Sequence, residues 1–216
     1  MSLPLNPPRD CPACPRLVEF RQMHRARNPE WHNAPVPTFS APAPRLLVVG
    51  LAPGLKGANK TGRPFTGDYA GDLLYETMVD FGFARGTYQA RPDDGLTLVD
   101  AAITNAVRCV PPENKPTGAE IRTCLPYLEE TIARLGGGIV ILALGRIAHD
   151  ATLTALKQRK SAFPFGHAAR HAPEGTPVLF DSYHCSRYNT NTGRLTRDMF
   201  RAVFSAIRDE IDAAAR

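Results

Sequence analysis

Two stretches of this sequence hold residue types able to act on a covalent bond. His184-Cys-Ser-Arg-Tyr-Asn189 follows an apolar run, and Thr61-Gly-Arg-Pro-Phe-Thr-Gly-Asp68 closes a long glycine-rich loop. His184 can be a general acid, an oxyanion donor or a metal ligand, or a histidine satisfied inside the structure. Asp68 can orient or deprotonate a water, or cap the helix that begins beside it. Asn105 carries a donor and an acceptor, as the edge of a nucleobase requires, although a lone Asn more often bonds a nearby turn. Phe65 either packs in the core or offers a stacking face to a flat ring. The loop opens with Gly50-Leu-Ala-Pro-Gly54, in which Gly50, Leu51, Ala52 and Gly54 allow close backbone approach to a ligand. It is neither a P-loop nor Gly-x-Gly-x-x-Gly, so a nucleotide cofactor is unsupported.

The five cysteines offer a second chemistry. Cys11 and Cys14 have two residues between them, and Cys109 and Cys124 have fourteen. Two local pairs suit a Cys₄ centre, either structural zinc or an iron–sulfur cluster. The alternative is a chance Cys-x-x-Cys among unrelated buried thiols. Cys185 is left over, and as a neighbour of His184 along a strand it points to the opposite face.

Positioning these residues requires a scaffold. Leu46–Val49, about Leu98 to Val107, Ile139–Leu144 and Val178–Tyr183 read as strands. Helices are predicted from Asp68 with Leu73, Leu74, Met78 and Phe81 inward, from the capping-box pattern Thr117-Gly-Ala-Glu120, from Arg146 to about Leu156, and over Thr196–Ala214. The alternation predicts an α/β fold, a single domain with a mainly parallel four-stranded central sheet flanked by helices on both faces. Ten of the 20 prolines lie in residues 1–44, which reads as a proline-rich segment with one short helix after Pro15, Leu17, Phe20 and Met23 facing inward. A shared metal would clamp this segment to residues 45–216, the α/β unit. Ligands of such folds bind beyond the carboxyl ends of the strands. That rule selects Gly50, Asn105, Gly145 and His184.

Composition narrows the classes. With 216 residues, 43% hydrophobic and 22% charged, the chain can bury a sizeable core. No apolar run approaches the roughly 20 residues of a membrane helix, and the first ten residues lack the apolar stretch of a signal peptide, so a cytoplasmic protein is expected. The net charge is +5. Residues 51–67, 151–173 and 184–197 are basic and acid-free, which points to a positive face for an anionic partner.

Together these motifs resemble family 5 of the uracil-DNA glycosylase superfamily. The resemblance rests on Gly50-Leu-Ala-Pro-Gly54, Thr61–Asp68, Thr104-Asn-Ala-Val-Arg-Cys109, His184–Asn189 and Asn191-Thr-Gly-Arg-Leu-Thr196, and runs from Cys11 to about Asp198. Leu51 stands where the similar family 4 has an acidic residue, and Cys185 departs from the usual Pro or Val. The resemblance implies a three-layer αβα fold and hydrolysis of the N-glycosidic bond of a flipped deoxynucleotide. It makes Asp68, His184 and Asn105 catalytic, with Phe65 stacking on the base, Asn105 reading its edge and His184 donating to its carbonyl. Ser186, Arg187, Tyr188 and Asn189 become a DNA-binding loop, with Tyr188 as the wedge. The four cysteines become ligands of a structural [4Fe–4S] cluster rather than zinc. DNA containing uracil or other deaminated bases such as hypoxanthine is the implied partner of a monomer. No lysine stands out as a Schiff-base nucleophile, so no strand cleavage is expected. A non-catalytic iron–sulfur nucleic-acid-binding module is the alternative.

Overall fold

The computed structural model of the protein describes residues 5–214, so the first four residues of the N-terminal stretch and the last two of the chain lie outside it. The first half runs α1 (Pro15–Arg27), β1 (Phe39–Ser40), β2 (Leu46–Gly50), α2 (Ala58–Thr61), α3 (Tyr69–Asp80), β3 (Ala84–Arg85), β4 (Thr97–Leu98) and β5 (Ala101–Asn105). The second half runs α4 (Gly118–Leu135), β6 (Val140–Leu144), α5 (Arg146–Ala155), β7 (Arg170–His171), β8 (Val178–Ser182), α6 (Arg187–Asn191) and α7 (Arg197–Ala214).

The main sheet has the order β1-β5-β2-β6-β8-β7. Its four inner strands are parallel, as the continuous apolar runs require, because both of their faces are covered. Leu46, Val48, Ile103 and Leu142 pack under α3 and α7 on one face. Leu47, Val49, Ile141 and Ala143 pack under α4 and α5 on the other. The sheet is wider than the four strands predicted. Two-residue antiparallel strands, β1 and β7, are added at its edges. The second predicted strand is shorter than expected: β5 ends at Asn105, and Thr97–Leu98 pairs instead with β3. Asp100, between them, turns to grip Arg45 with a bond of 2.7 Å.

The capping box of α4 forms as read, Thr117 accepting from the N–H of Glu120 and the Glu120 carboxylate accepting from the N–H of Thr117. Glu120 also takes two bonds from Arg16 on α1, at 2.7 and 2.6 Å. The inward face of α1 is Leu17, Arg21 and His24, while Phe20 and Met23 are only half-buried. Arg21 is drawn in by acceptors, the carbonyl of Cys11 and the sulfur of Cys109. The N-terminal segment then docks on α2, where His32 and Asn33 donate backbone N–H groups to Lys60 and Asn59. Trp31, the sole tryptophan, lies there between His24 and the Lys60 ammonium, 5.8 Å from its ring. No described helix is long and apolar enough to cross a membrane.

Candidate active site

Parallel register brings the selected residues to one edge. Gly50 pairs with Asn105, and Leu144 with Ser182, so Gly145 and His184 emerge beside the first two. An open cleft of about 560 Å³ lies at this edge, lined by Asp68 and His184 among others. Leu51, Ala52, Gly54, Ser186 and Arg187 also line it. Asn105 and Phe65 do not; they are 3% and 6% exposed and lie against Gly50.

Asp68 immediately precedes α3, but its side chain does not cap the helix. Its Oδ1 is shut from solvent with no hydrogen-bond partner among the described residues. Burial, opposed by the N–H groups of Gly71 and Ala70, holds its carboxyl above the usual carboxylate range. Glycine at 57 is a steric requirement, because a Cβ there would stand 2.5 Å from Asp68 Oδ2. A Cβ on Gly50 would stand 2.4 Å from Asn105 Oδ1 and 2.6 Å from the Phe65 ring. The amide of Asn105 and the ring of His184 make no hydrogen bond among the described residues, which leaves both free for a ligand.

Burial pushes the His184 imidazole down to about 4, so it is neutral at physiological pH. Its ring stacks on Phe65 with centroids 6.0 Å apart and planes 28° from parallel. A third ring between them would need about 7 Å, twice the optimal carbon–carbon separation. A flat ligand therefore has only the edge of the His184 ring to meet, not its Phe65-facing side. Cys185 is fully buried, its thiol donates to the carbonyl of Ala70 at the start of α3, and burial pushes the thiol up, which keeps it protonated.

The segment after His184, read as a loop, contains the short helix α6. Ser186 caps it by accepting from the N–H of Asn189, and Asn189 donates its amide to the His184 carbonyl at 2.8 Å. Of the four predicted DNA-binding residues these two are spent internally. Arg187 and Tyr188 face outward, Tyr188 being 72% exposed.

Cys11, Cys14, Cys109 and Cys124 line one small cavity with Leu17, Val107 and Tyr127, although they come from three separate parts of the chain. All four are free thiols. Arg21 lies 3.6 Å from Cys109 Sγ, and the N–H of Arg108 donates to Cys124 Sγ at 3.4 Å. A tetrahedral zinc with 2.3 Å bonds would hold the sulfurs about 3.8 Å apart. The one described group whose ligand atoms all lie within 4.8 Å of one another is His149, His171 and Asp181, so no three of these sulfurs meet that spacing. Four free thiols around one cavity, with N–H groups aimed at two of the sulfurs, are a donor set that fits a Cys₄ metal centre.

The family model for the uracil DNA glycosylase superfamily matches residues 37–208. The chain belongs to the uracil DNA glycosylase superfamily. It is 46% identical over 199 residues to a type-5 uracil-DNA glycosylase of Thermus thermophilus, covering 89% of this chain and 90% of that protein. It is 38% identical to a type-5 uracil-DNA glycosylase of Pyrobaculum aerophilum, over 90% of this chain and 86% of that one. A type-4 uracil-DNA glycosylase of Saccharolobus solfataricus is 31% identical over 88% of this chain and 83% of its own.

Within this superfamily fold, several residues that build the site escaped the sequence reading. Phe65 has a left-handed backbone, φ +53°, which is costly for an aromatic residue and must be held by its surroundings. Tyr88 donates its hydroxyl to the Phe65 carbonyl and Tyr75 donates to that of Pro64. Arg63 forms a bidentate pair with Asp94, at 2.8 and 2.7 Å, and donates to Thr66. The buried Arg63 guanidinium finds its acid in Asp94, which nothing in the sequence identifies as the partner.

Proposed function

We propose that the protein is a monofunctional DNA glycosylase that excises uracil, and other deaminated bases such as hypoxanthine, from DNA and leaves an abasic site. The observation that carries this reading is the pairing, in one cleft, of a carboxylate oxygen without a protein partner and a neutral histidine without one. An acceptor and a donor left unused at the ligand edge of an α/β sheet are the two tools that hydrolysis of an N-glycosidic bond needs.

The nucleotide leaves the stack and enters the cleft. The Asp68 carboxylate accepts a hydrogen bond from a water, takes its proton as the water adds to the sugar carbon, and favours the positive charge that develops on the sugar. His184 donates an N–H to the base carbonyl on which negative charge grows; being neutral, it stabilises that charge without having to surrender its proton. The unpaired amide of Asn105, beside Gly50 at the carboxyl edge of the sheet, is offered to the base edge, while Phe65, which does not line the cleft, stacks on His184 and supports that ring. Arg187 contacts phosphate, while exposed Tyr188 fills the vacated stack. In this scheme the nucleophile is water and no Schiff base forms, so strand cleavage does not follow.

The test is base release from an oligonucleotide with one deoxyuridine, single-stranded or opposite G or A, read before and after alkali. Product seen only after alkali is expected. Binding with no product on uracil or hypoxanthine would overturn the reading in favour of a non-catalytic binding protein. Gly57→Ala should cost about 10²-fold in kcat with KM little changed, because displacing a reacting group by about 1 Å has that effect. Single-turnover rates check it.

We further propose that Cys11, Cys14, Cys109 and Cys124 hold a [4Fe–4S] cluster. Bound there, it serves as a structural cross-link among α1, the end of β5 and α4, and supplies no redox step. Anaerobically purified protein should be brown, absorb near 400 nm and contain about four irons per chain. Stoichiometric zinc in colourless protein would overturn this assignment. Cys109→Ala should lose the iron and lower the melting temperature.

A further inference from the structure

A second cleft, of about 310 Å³, also has His184 in its lining. Its other walls include Arg146, Phe165, Tyr183, Asn189 and Arg194, with no acidic side chain among the described residues. The Arg146 guanidinium sits over the Phe165 ring at 5.3 Å, and that of Arg194 over Tyr183 at 4.6 Å. Neither pairs with an acid among the described residues. Arg45, Arg63, Arg170, Arg197 and Arg201, by contrast, each have an acidic partner.

This arrangement has a chemical consequence. A guanidinium laid on an aromatic face is held in place by the ring and keeps its in-plane N–H groups for another ligand. Two of them around one cleft, with no acid to neutralise them, select an anion with several oxygens. Phe165 is itself fixed. His149 Nε2 donates to the Phe163 carbonyl at 2.9 Å, and the N–H of Gly166 donates to Asp181 Oδ2 at 3.3 Å. The wall therefore stands before any ligand arrives. Because His184 lines both clefts, a strand with one nucleotide in the first has the second beside it.

We propose that the second cleft is a phosphate subsite, in which Arg146 and Arg194 hold a backbone phosphodiester of the strand that carries the scissile nucleotide, next to that nucleotide. The subsite rests on the glycosylase reading for the identity of its strand. It assigns two positioning residues, one at the start of α5 and one between α6 and α7, so that the strand is gripped beside the histidine that meets the base.

The experiment uses a single-stranded oligonucleotide with one 2′-fluoro-2′-deoxyuridine, which resists cleavage, and replaces the flanking phosphates one at a time by neutral methylphosphonate. Binding is followed by fluorescence anisotropy across salt concentrations. For the unaltered protein, one replacement should weaken binding about tenfold or more, the loss of a charge-assisted contact. Arg146→Gln combined with Arg194→Gln should weaken binding to the unmodified strand, make the slope of log K against log salt shallower by about 0.7, the value for one phosphate contact on a single strand, and remove the effect of that one replacement. Arg170→Gln, which deletes a charge already paired with Glu210, should leave the slope unchanged. An unaltered slope in the double variant, or losses that multiply at every phosphate, would overturn the subsite. Base release from the unmodified deoxyuridine strand is measured in parallel. If the protein releases no base, the glycosylase reading falls while the binding cycle still decides the subsite.

Discussion

Asp68→Asn is expected to lower base release by about 10²–10⁴-fold while leaving affinity for uracil-containing DNA within a few-fold of the original. Asn fills the same space against Gly54 and Gly57 but cannot take a proton from water or face a positive sugar with a negative charge. The pH dependence follows from the raised pKa of this carboxyl. The active form is ionised, so activity is lost as pH falls through that pKa, and the acid limb lies above the usual carboxylate range. In the folded protein the ionised group is disfavoured, so its neutral replacement should melt at the same temperature or higher. Equal single-turnover rates for the two proteins would remove Asp68 from the reaction.

His184→Ala should cost about 10²–10³-fold, the loss of one preorganised donor to a developing oxyanion. His184→Asn, which restores an N–H donor, should recover part of it. Because the imidazole titrates only at about 4, the unaltered enzyme should show no inflection near 6.5. The acid limb assigned to Asp68 should persist in His184→Ala. A rate that follows a group of pKa near 6.5, and loses that dependence in the variant, would mean that the histidine works as an imidazolium and that the neutral-donor mechanism is wrong.

The central sheet was legible because both its faces are buried. Leu46–Val49 and Ile139–Leu144 are unbroken apolar runs, and their alternate residues fill opposite layers. The edge strands were not legible, since two residues carry no periodicity. Nor was α6, which rests on the Ser186 cap and a tertiary bond from Asn189. On α1 the apolar pattern misled. Phe20 and Met23 are outweighed by Arg21, which goes inward for its acceptors at Cys11 and Cys109. Asp68 and His184 could be found from chain position, because loops beyond parallel strands converge. The convergence of four distant cysteines was implied by their number, whereas Asp94 and Tyr88, which hold the Phe65 loop, depend on contacts that only the folded chain defines.

The position of Trp31 has a practical consequence. The only indole of the molecule stands where the N-terminal segment meets α2, under the Lys60 ammonium and stacked with His24, with the thiol-lined cavity behind α1. Its emission therefore reports the docking of the segment around α1 on α2 and is blind, to first order, to events at the catalytic edge. A red shift on iron removal with no change on adding substrate would let the optical signal of one native residue separate loss of the cross-link from occupation of the cleft, without any introduced label.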